Sequence, residues 1–224
     1  MSTVAAPHHL QDNELEPAIQ QTVEGIIDEM IASLPDPNQL TSEERRGIIA
    51  RYSSVLESNF IYWMTATLIA TTAEEARPII LENLYEEVRD SHPHMLRKFA
   101  LAAHAFPTDK DALAANKELT DVRLFLGRLS GVQSLVTMGF FEGFIQKFMP
   151  FLANLAAAEG STEMEYTDVH GVCDIEHTAG LFRALAAEMA VKPVEPGTDL
   201  LEGVHLLRTL IERTIDYKPE PVAA

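Results

Sequence analysis

The sequence contains a single cysteine, Cys173, in 224 residues, so no disulfide can form within the chain. Its first residues also lack the basic and then apolar order of a secretory signal. Both absences favour a reducing, cytoplasmic environment. Polar or charged residues interrupt the most hydrophobic windows, near 58–71 and 134–156, well short of the roughly 20 apolar residues that a membrane span needs. We therefore expect a soluble protein with no membrane partner.

Basic residues are scarce as well. The chain has 17 Lys and Arg against 34 Asp and Glu, which gives a net charge of −17 and a pI near 4.8. A protein that binds a nucleic-acid backbone needs surplus positive charge to neutralise phosphates. The composition therefore excludes nucleic acid as a partner.

No Pro- or Gly-rich linker divides the chain, and no run of strict alternation predicts a strand. Apolar residues instead recur every three or four positions, and Thr41 with Glu44 has the spacing of a capping box. We predict one all-α domain over residues 17–217, between tails at 1–16 and 218–224. It would be a bundle of seven to eight helices, with segments near 17–33, 42–71, 74–89, 92–105, 110–132, 134–158, 168–190 and 198–216.

The segment HGVCDIEHTAGLF carries the clearest chemical signal. His170, Asp174 and His177 stand at relative positions 0, 4 and 7, and a helix that turns about 100° per residue places all three within one narrow sector. Imidazole and carboxylate are ligands that Fe(II) accepts, although Zn(II) uses the same set. The alternative is a solvated helix face on which these residues happen to align.

Two carboxylates lie in apolar surroundings elsewhere. Glu142 is flanked by phenylalanines in MGFFEGFIQKFMPFL, and Glu57 lies among apolar residues in SSVLESNFIYWM. A carboxylate that faces a core needs a compensating cation. We interpret both as candidate metal ligands, against the alternatives of a salt bridge from Lys147 to Glu142 and of a surface position for Glu57.

A further segment, ENLYEEVRDSHPHMLRKF, offers several acids and two histidines. Glu87 and His94, seven apart, would share one face of an uninterrupted helix, whereas Glu86 and His92, six apart, would not. Pro93 disfavours helix at the residue before it and suits the start of a new helix. A break near residues 90–92 would let Glu86 and His92 converge, so the choice between these pairs stays open.

The order of these motifs resembles that of the haem-oxygenase-like di-iron oxidases and oxygenases. Members have a Glu on one core helix, a Glu followed by a His on the next, a lone Glu on a middle helix, and then HxxxDxxH. The resemblance covers most of the chain and implies a haem-oxygenase-like helical bundle. It assigns as iron ligands Glu57, Glu86, His92, Glu142, His170, Asp174 and His177.

The same resemblance implies two Fe(II) ions as the cofactor, O2 as co-substrate and a homodimer. Glu57, His92 and His177 would serve one iron, His170 and Asp174 the other, and Glu86 with Glu142 would complete or bridge the pair. The substrate would be a small amino-acid-derived or fatty-acid-like carboxylate. The expected reaction is N-oxygenation or oxidative C–C cleavage, as in natural-product biosynthesis, where nitriles or alkenes are formed.

Two groups of residues are candidates for substrate binding. Aromatic residues that could wall a cavity are Phe60, Trp63, Phe140 and Phe141, and cations that could hold a carboxylate are Arg89, Arg123, Arg128 and Arg183. The competing interpretation is a metal-free thiaminase-like or cofactor-binding protein on the same fold, in which Cys173 would be the nucleophile. A structural bundle with an incidental His cluster is a third.

Overall fold

The structure, a computed structural model, describes residues 12–216, except for the side chains of residues 12–14 and 58. That part of the chain contains nine helices and no strand. In chain order they are α1 (Asp12–Ala32), α2 (Ser42–Ala70), α3 (Arg77–Arg89), α4 (His92–Ala102), α5 (Asp109–Ala114), α6 (Asn116–Leu126), α7 (Gly131–Ala158), α8 (Glu165–Val191) and α9 (Glu202–Ile215). The all-α prediction is confirmed.

The described helices, nine rather than the predicted seven to eight, have ends within four residues of the predicted ones except in two places. The first helix begins at Asp12 rather than near residue 17, while residues 1–11 and the predicted C-terminal tail lie outside the described residues. The helix predicted over 110–132 is two helices, because Ala115 has φ −119° and ψ 14° and interrupts the helical path. The capping box of Thr41 and Glu44 at the start of α2 is present.

Helix α7 forms the centre of the bundle, which explains why its sequence is apolar on all sides. It packs most extensively against α8 and also contacts α1, α2 and α9. A helix surrounded by neighbours has no solvated face, so most of its side chains are buried. At α9, Gly203 allows close approach, since a Cβ there would lie 2.0 Å from Oγ1 of Thr137. No helix in the described range is long and apolar enough to cross a membrane.

A buried carboxylate fixes the segment that leads into α3. Glu188 on α8 has no exposed surface, and its Oε2 accepts hydrogen bonds from the backbone amides of Thr72 and Ala73 at 2.8 and 2.7 Å. Gly131 leaves room for this carboxylate, because a Cβ there would lie 2.5 Å from Oε1. The contact holds the loop that precedes α3, and α3 carries part of the site described below.

Replacing Glu188 by alanine is expected to lower the free energy of unfolding by roughly 2–4 kcal/mol, since buried amides would lose a charged acceptor. Chemical denaturation measures the change. The control is Glu195→Ala, at an exposed position after α8, which should stay within about 0.5 kcal/mol of the unmodified protein. Equal effects in the two variants would contradict the proposed role of Glu188.

Candidate metal centre

The long helix α8 presents the HxxxDxxH residues toward the interior. His170 and Asp174 are buried, and the side chain of His177 is 11 % exposed. Their spacing of four and three residues places them on the face that meets α7 and α3, as the helical repeat requires. Two separate groups of ligand-type atoms form around this face, and within each group the atoms lie within 4.8 Å of one another.

The first group, called here the first triad, consists of Glu87 from α3, His92 from α4 and His170 from α8. Oε1 of Glu87 lies 2.6 Å from Nδ1 of His92 and 3.7 Å from Nε2 of His170. All three residues are buried. Two imidazoles and a carboxylate at this spacing can hold a divalent transition metal.

A short break between α3 and α4 brings His92 to Glu87. Helix α3 ends at Arg89, Ser91 adopts the left-handed conformation with φ 57° and ψ 43°, and α4 begins at His92. The break that Pro93 predicts is thus present. It reverses the chain enough for side chains five residues apart to meet, which a continuous helix would prevent.

Contacts with two histidines determine the charge of Glu87. Burial raises the pKa of its carboxyl group, but hydrogen bonds to His170 and His92 and their charges outweigh burial, so the pKa lies below its usual value. Glu87 is therefore ionised at neutral pH, which is the form that binds a metal.

The second triad consists of Glu142 from α7 with Asp174 and His177 from α8. Nδ1 of His177 lies 3.6 Å from Oδ1 of Asp174 and 4.0 Å from Oε1 of Glu142. Asn83 of α3 donates a hydrogen bond of 2.7 Å to the same oxygen of Glu142. Lys147, the alternative partner suggested for Glu142, instead pairs with Asp28 at the surface.

Unsatisfied atoms distinguish the second triad from an ordinary polar cluster. Oδ2 of Asp174 and Nδ1 of His177 are buried and have no hydrogen-bond partner. Burial raises the pKa of Asp174 well above its usual value, and the nearby Glu87 charge raises it further. Burial and then the charge of Asp174 likewise raise the pKa of Glu142. A bound cation would satisfy both orphan atoms and stabilise both carboxylates.

Outer contacts fix the histidines in orientations that suit metal binding. Nδ1 of His170 donates to the backbone carbonyl of Tyr166 at 2.8 Å, which directs Nε2 toward the first triad. Nε2 of His177 lies 2.9 Å from Oε2 of Glu86, which directs Nδ1 toward the second triad. Such contacts to the second nitrogen are typical of metal-binding histidines.

A small cavity adjoins both triads. Its apolar wall includes Phe60 and Phe141, two of the predicted aromatic residues, whereas Trp63 and Phe140 pack in the core without lining it. Tyr166 also lines the cavity and shares a hydrogen bond of 2.8 Å with the buried hydroxyl of Tyr52. The sequence pattern did not indicate these two tyrosines.

The structure places the predicted ligands as follows. Five of the seven lie in the two triads, namely His92, Glu142, His170, Asp174 and His177. Glu86 lies outside both triads and contacts His177, while its neighbour Glu87 belongs to the first triad. His94, the other candidate, is exposed.

Glu57 lines the cavity but lies in neither triad. Its carboxylate, 26 % exposed, accepts a hydrogen bond from Arg97 of α4, a residue that the sequence did not single out. Most of the predicted cations contact other groups: Arg89 pairs with Asp90, Arg123 donates to Asn59, and Arg128 pairs with Glu202. Arg183 lines a separate groove that His177 also lines.

Comparison with known proteins is consistent with this geometry. A family model described as "Haem_oxygenas_2: Iron-containing redox enzyme" matches residues 50–210. The chain belongs to this family of iron-containing redox enzymes. No curated protein and no solved structure gives a significant match.

The predicted resemblance to the haem-oxygenase-like superfamily is confirmed by this match. The matched range begins within α2 and ends within α9, so it contains every residue of both triads. Because the family consists of iron-containing redox enzymes, the two buried triads of carboxylates and histidines are the candidate iron sites in the described part of this chain. The family supports an oxidoreductase in general terms and specifies neither substrate nor reaction.

Proposed function

We propose that the protein is an O2-activating non-haem di-iron oxidase or oxygenase, with one Fe(II) ion in each triad. The observation that carries the proposal is the pair of buried triads on one face of α8, of which the second contains unsatisfied ligand atoms. The match to a family of iron-containing redox enzymes supports iron rather than zinc.

The donor set fits two ferrous ions. Three imidazoles and three carboxylates give six protein ligands with a total charge of −3 against +4 for the metal pair. Six donors leave open coordination positions on both ions, as oxygen-activating sites require. When bound, the ferrous pair would supply electrons to dioxygen, and a substrate carboxylate would offset the remaining positive charge.

The chain's own residues would orient and isolate the reaction. The outer contacts of His170 and His177 fix the ligand nitrogens, and the apolar cavity wall excludes bulk water. Glu57 at the cavity wall stays a predicted ligand, and the adjacent Arg97 becomes the candidate cation for a small amino-acid-derived or fatty-acid-like carboxylate. N-oxygenation and oxidative C–C cleavage both remain within this proposal.

Oxygen consumption tests the proposal. The purified protein is loaded anaerobically with ferrous iron and screened with amino acids and fatty acids in an oxygen-electrode assay. We expect iron-dependent consumption with one substrate class, and a decrease of at least about a hundredfold in His170→Ala and Asp174→Ala. His94→Ala is the matched control, because His94 is exposed on the neighbouring helix. Unchanged turnover in either ligand variant would refute the proposal.

Replacing Cys173 by alanine separates this function from cysteine chemistry. Burial raises the pKa of the Cys173 thiol, and the negative charge of Asp174 raises it further, so the reactive thiolate is disfavoured. We expect Cys173→Ala to keep at least half of the iron-dependent oxygen consumption. Complete loss, with iron binding intact, would show that the thiol takes part in the reaction and would contradict this expectation.

The assembly and the location of the protein stay predictions. A homodimer would be detected by light scattering of the full chain at several concentrations. The cytoplasmic location rests on the sequence alone, through its single cysteine.

A further inference from the structure

A groove between α3 and α8 adjoins the second triad and shares no lining residue with the cavity. It holds about 1010 Å³ of empty space, and we call it the α3/α8 groove. Its polar lining comprises Glu82, Asn83, Glu86, Glu176, His177 and Arg183. The cavity touches Glu142 and Asp174, whereas the groove touches His177, so the second triad lies between the two spaces.

The charges in this groove favour a cation. Glu82 and Glu176 are exposed, and the side chain of Glu86 is 28 % exposed, which leaves three carboxylates accessible to solvent. Carboxylates gathered in a concave surface raise the local concentration of cations and increase their rate of association.

A second observation places a ligand atom deeper in the groove. Asn83 is 3 % exposed, and its Oδ1 has no hydrogen-bond partner, although its Nδ2 donates to Glu142. An amide oxygen is a common ligand for hard divalent cations. Asn83 thus lines the groove together with the outer carboxylates, contacts Glu142 of the second triad, and has a buried amide oxygen without a partner.

We propose that the α3/α8 groove is a transit site through which a hydrated divalent cation reaches the second triad. Glu82 and Glu176 attract the ion, the oxygen of Asn83 receives it, and the contact between Glu86 and His177 opens to admit it. The inference rests on the proposed function, because it assumes that the second triad holds iron. The route assigns roles to Glu82, Glu176 and Asn83, none of which belongs to either triad.

The rate of metal uptake tests this route. Cobalt(II) alone is mixed anaerobically with the full-length apoprotein at low ionic strength, and its visible absorption on binding is followed by stopped flow. The variant Glu82→Gln/Glu176→Gln is compared with Glu74→Gln/Glu75→Gln, a control pair at exposed positions before α3. Each variant changes the net charge from −17 to −15, so general electrostatic attraction is matched.

We expect the groove variant to fill the second triad with cobalt about tenfold more slowly, with the same final two equivalents, and the control to stay within about twofold of the unmodified protein. Arg183→Gln, which removes positive charge from the groove, should raise the rate. Equal rates in the groove variant and the control would overturn the route while leaving the proposed function intact. Fewer than two equivalents in the unmodified protein would overturn both.

Discussion

Replacing Glu87 by alanine is expected to leave one ferrous ion per chain instead of two. Glu87 supplies the carboxylate of the first triad, and its low pKa keeps it ionised, so its loss leaves two neutral imidazoles to hold a divalent ion. The second triad contains no atom of Glu87 and should keep its ion. Anaerobic titration with Fe(II), followed by metal analysis after desalting, measures the stoichiometry.

Glu86→Ala is the matched control for that change, at the adjacent position of the same helix. Glu86 contacts the outer nitrogen of His177 and lies in neither triad, so both ions should bind. Loss of an outer contact of this kind weakens metal binding about 10- to 100-fold, here at the second triad only. If Glu86→Ala lost an ion and Glu87→Ala retained both, the sequence assignment of Glu86 as ligand would be restored.

The second large effect concerns the stability of the metal-free protein. Asp174→Asn and Glu142→Gln should each raise its melting temperature at pH 7 by about 2–4 °C, corresponding to roughly 1 kcal/mol or more. Each substitution removes a buried negative charge that only a metal would compensate. The same variants should fail to bind the second ion. A carboxylate at these positions therefore binds metal but lowers the stability of the metal-free protein.

The pH dependence of this effect follows from the pKa directions. Burial raises the pKa of Asp174 and Glu142 in the folded state, whereas the unfolded values are about 3.9 and 4.3. Between the unfolded and folded values the native protein binds more protons, so its stability falls as pH rises. The lowered pKa of Glu87 has the opposite effect, because it makes stability decrease as the pH falls. This effect is confined to pH values below about 4.3.

Thermal melts of metal-free protein from pH 4 to pH 8 measure this difference. The melting temperature of Asp174→Asn should exceed that of the unmodified protein by an amount that increases from pH 4 to pH 8. The difference should disappear when Fe(II) saturates the unmodified protein. Glu176→Gln, an exposed acid two residues further along α8, is the control and should show no such trend. An advantage that stays constant with pH would contradict the burial of an uncompensated carboxylate.

Helical periodicity explains why much of the site could be predicted from sequence. The positions of His170, Asp174 and His177 on one helix face depend only on the residue repeat of an α-helix. Glu142 could be found because its neighbours are apolar along the whole of α7, and a carboxylate in that setting needs a cation. Both inferences are local and require no knowledge of how helices pack.

The choice between Glu86 and Glu87 depended on tertiary geometry. Adjacent residues on a helix point about 100° apart, and the rotation of α3 depends on its packing and on the contact between Glu188 and the preceding loop. The left-handed Ser91 then decides which acid meets His92. No residue type in the sequence marks that conformation, since serine rarely adopts it.

The ion pair that Glu57 makes and the break in the helix predicted over 110–132 show the same limit. The sequence around Glu57 is apolar, but Arg97 approaches from another helix and pairs with it. The interruption at Ala115 occurs within residues 108–126, which contain neither proline nor glycine. In both places a long-range contact or a backbone change acts without a local sequence signal.

The most direct test of the two-iron centre is a crystal structure of protein loaded anaerobically with Fe(II), with anomalous data collected at the iron edge. We predict two anomalous peaks per chain, one among Glu87, His92 and His170 and the other among Glu142, Asp174 and His177. The absence of iron from both triads, or its presence only at surface carboxylates, would contradict the account.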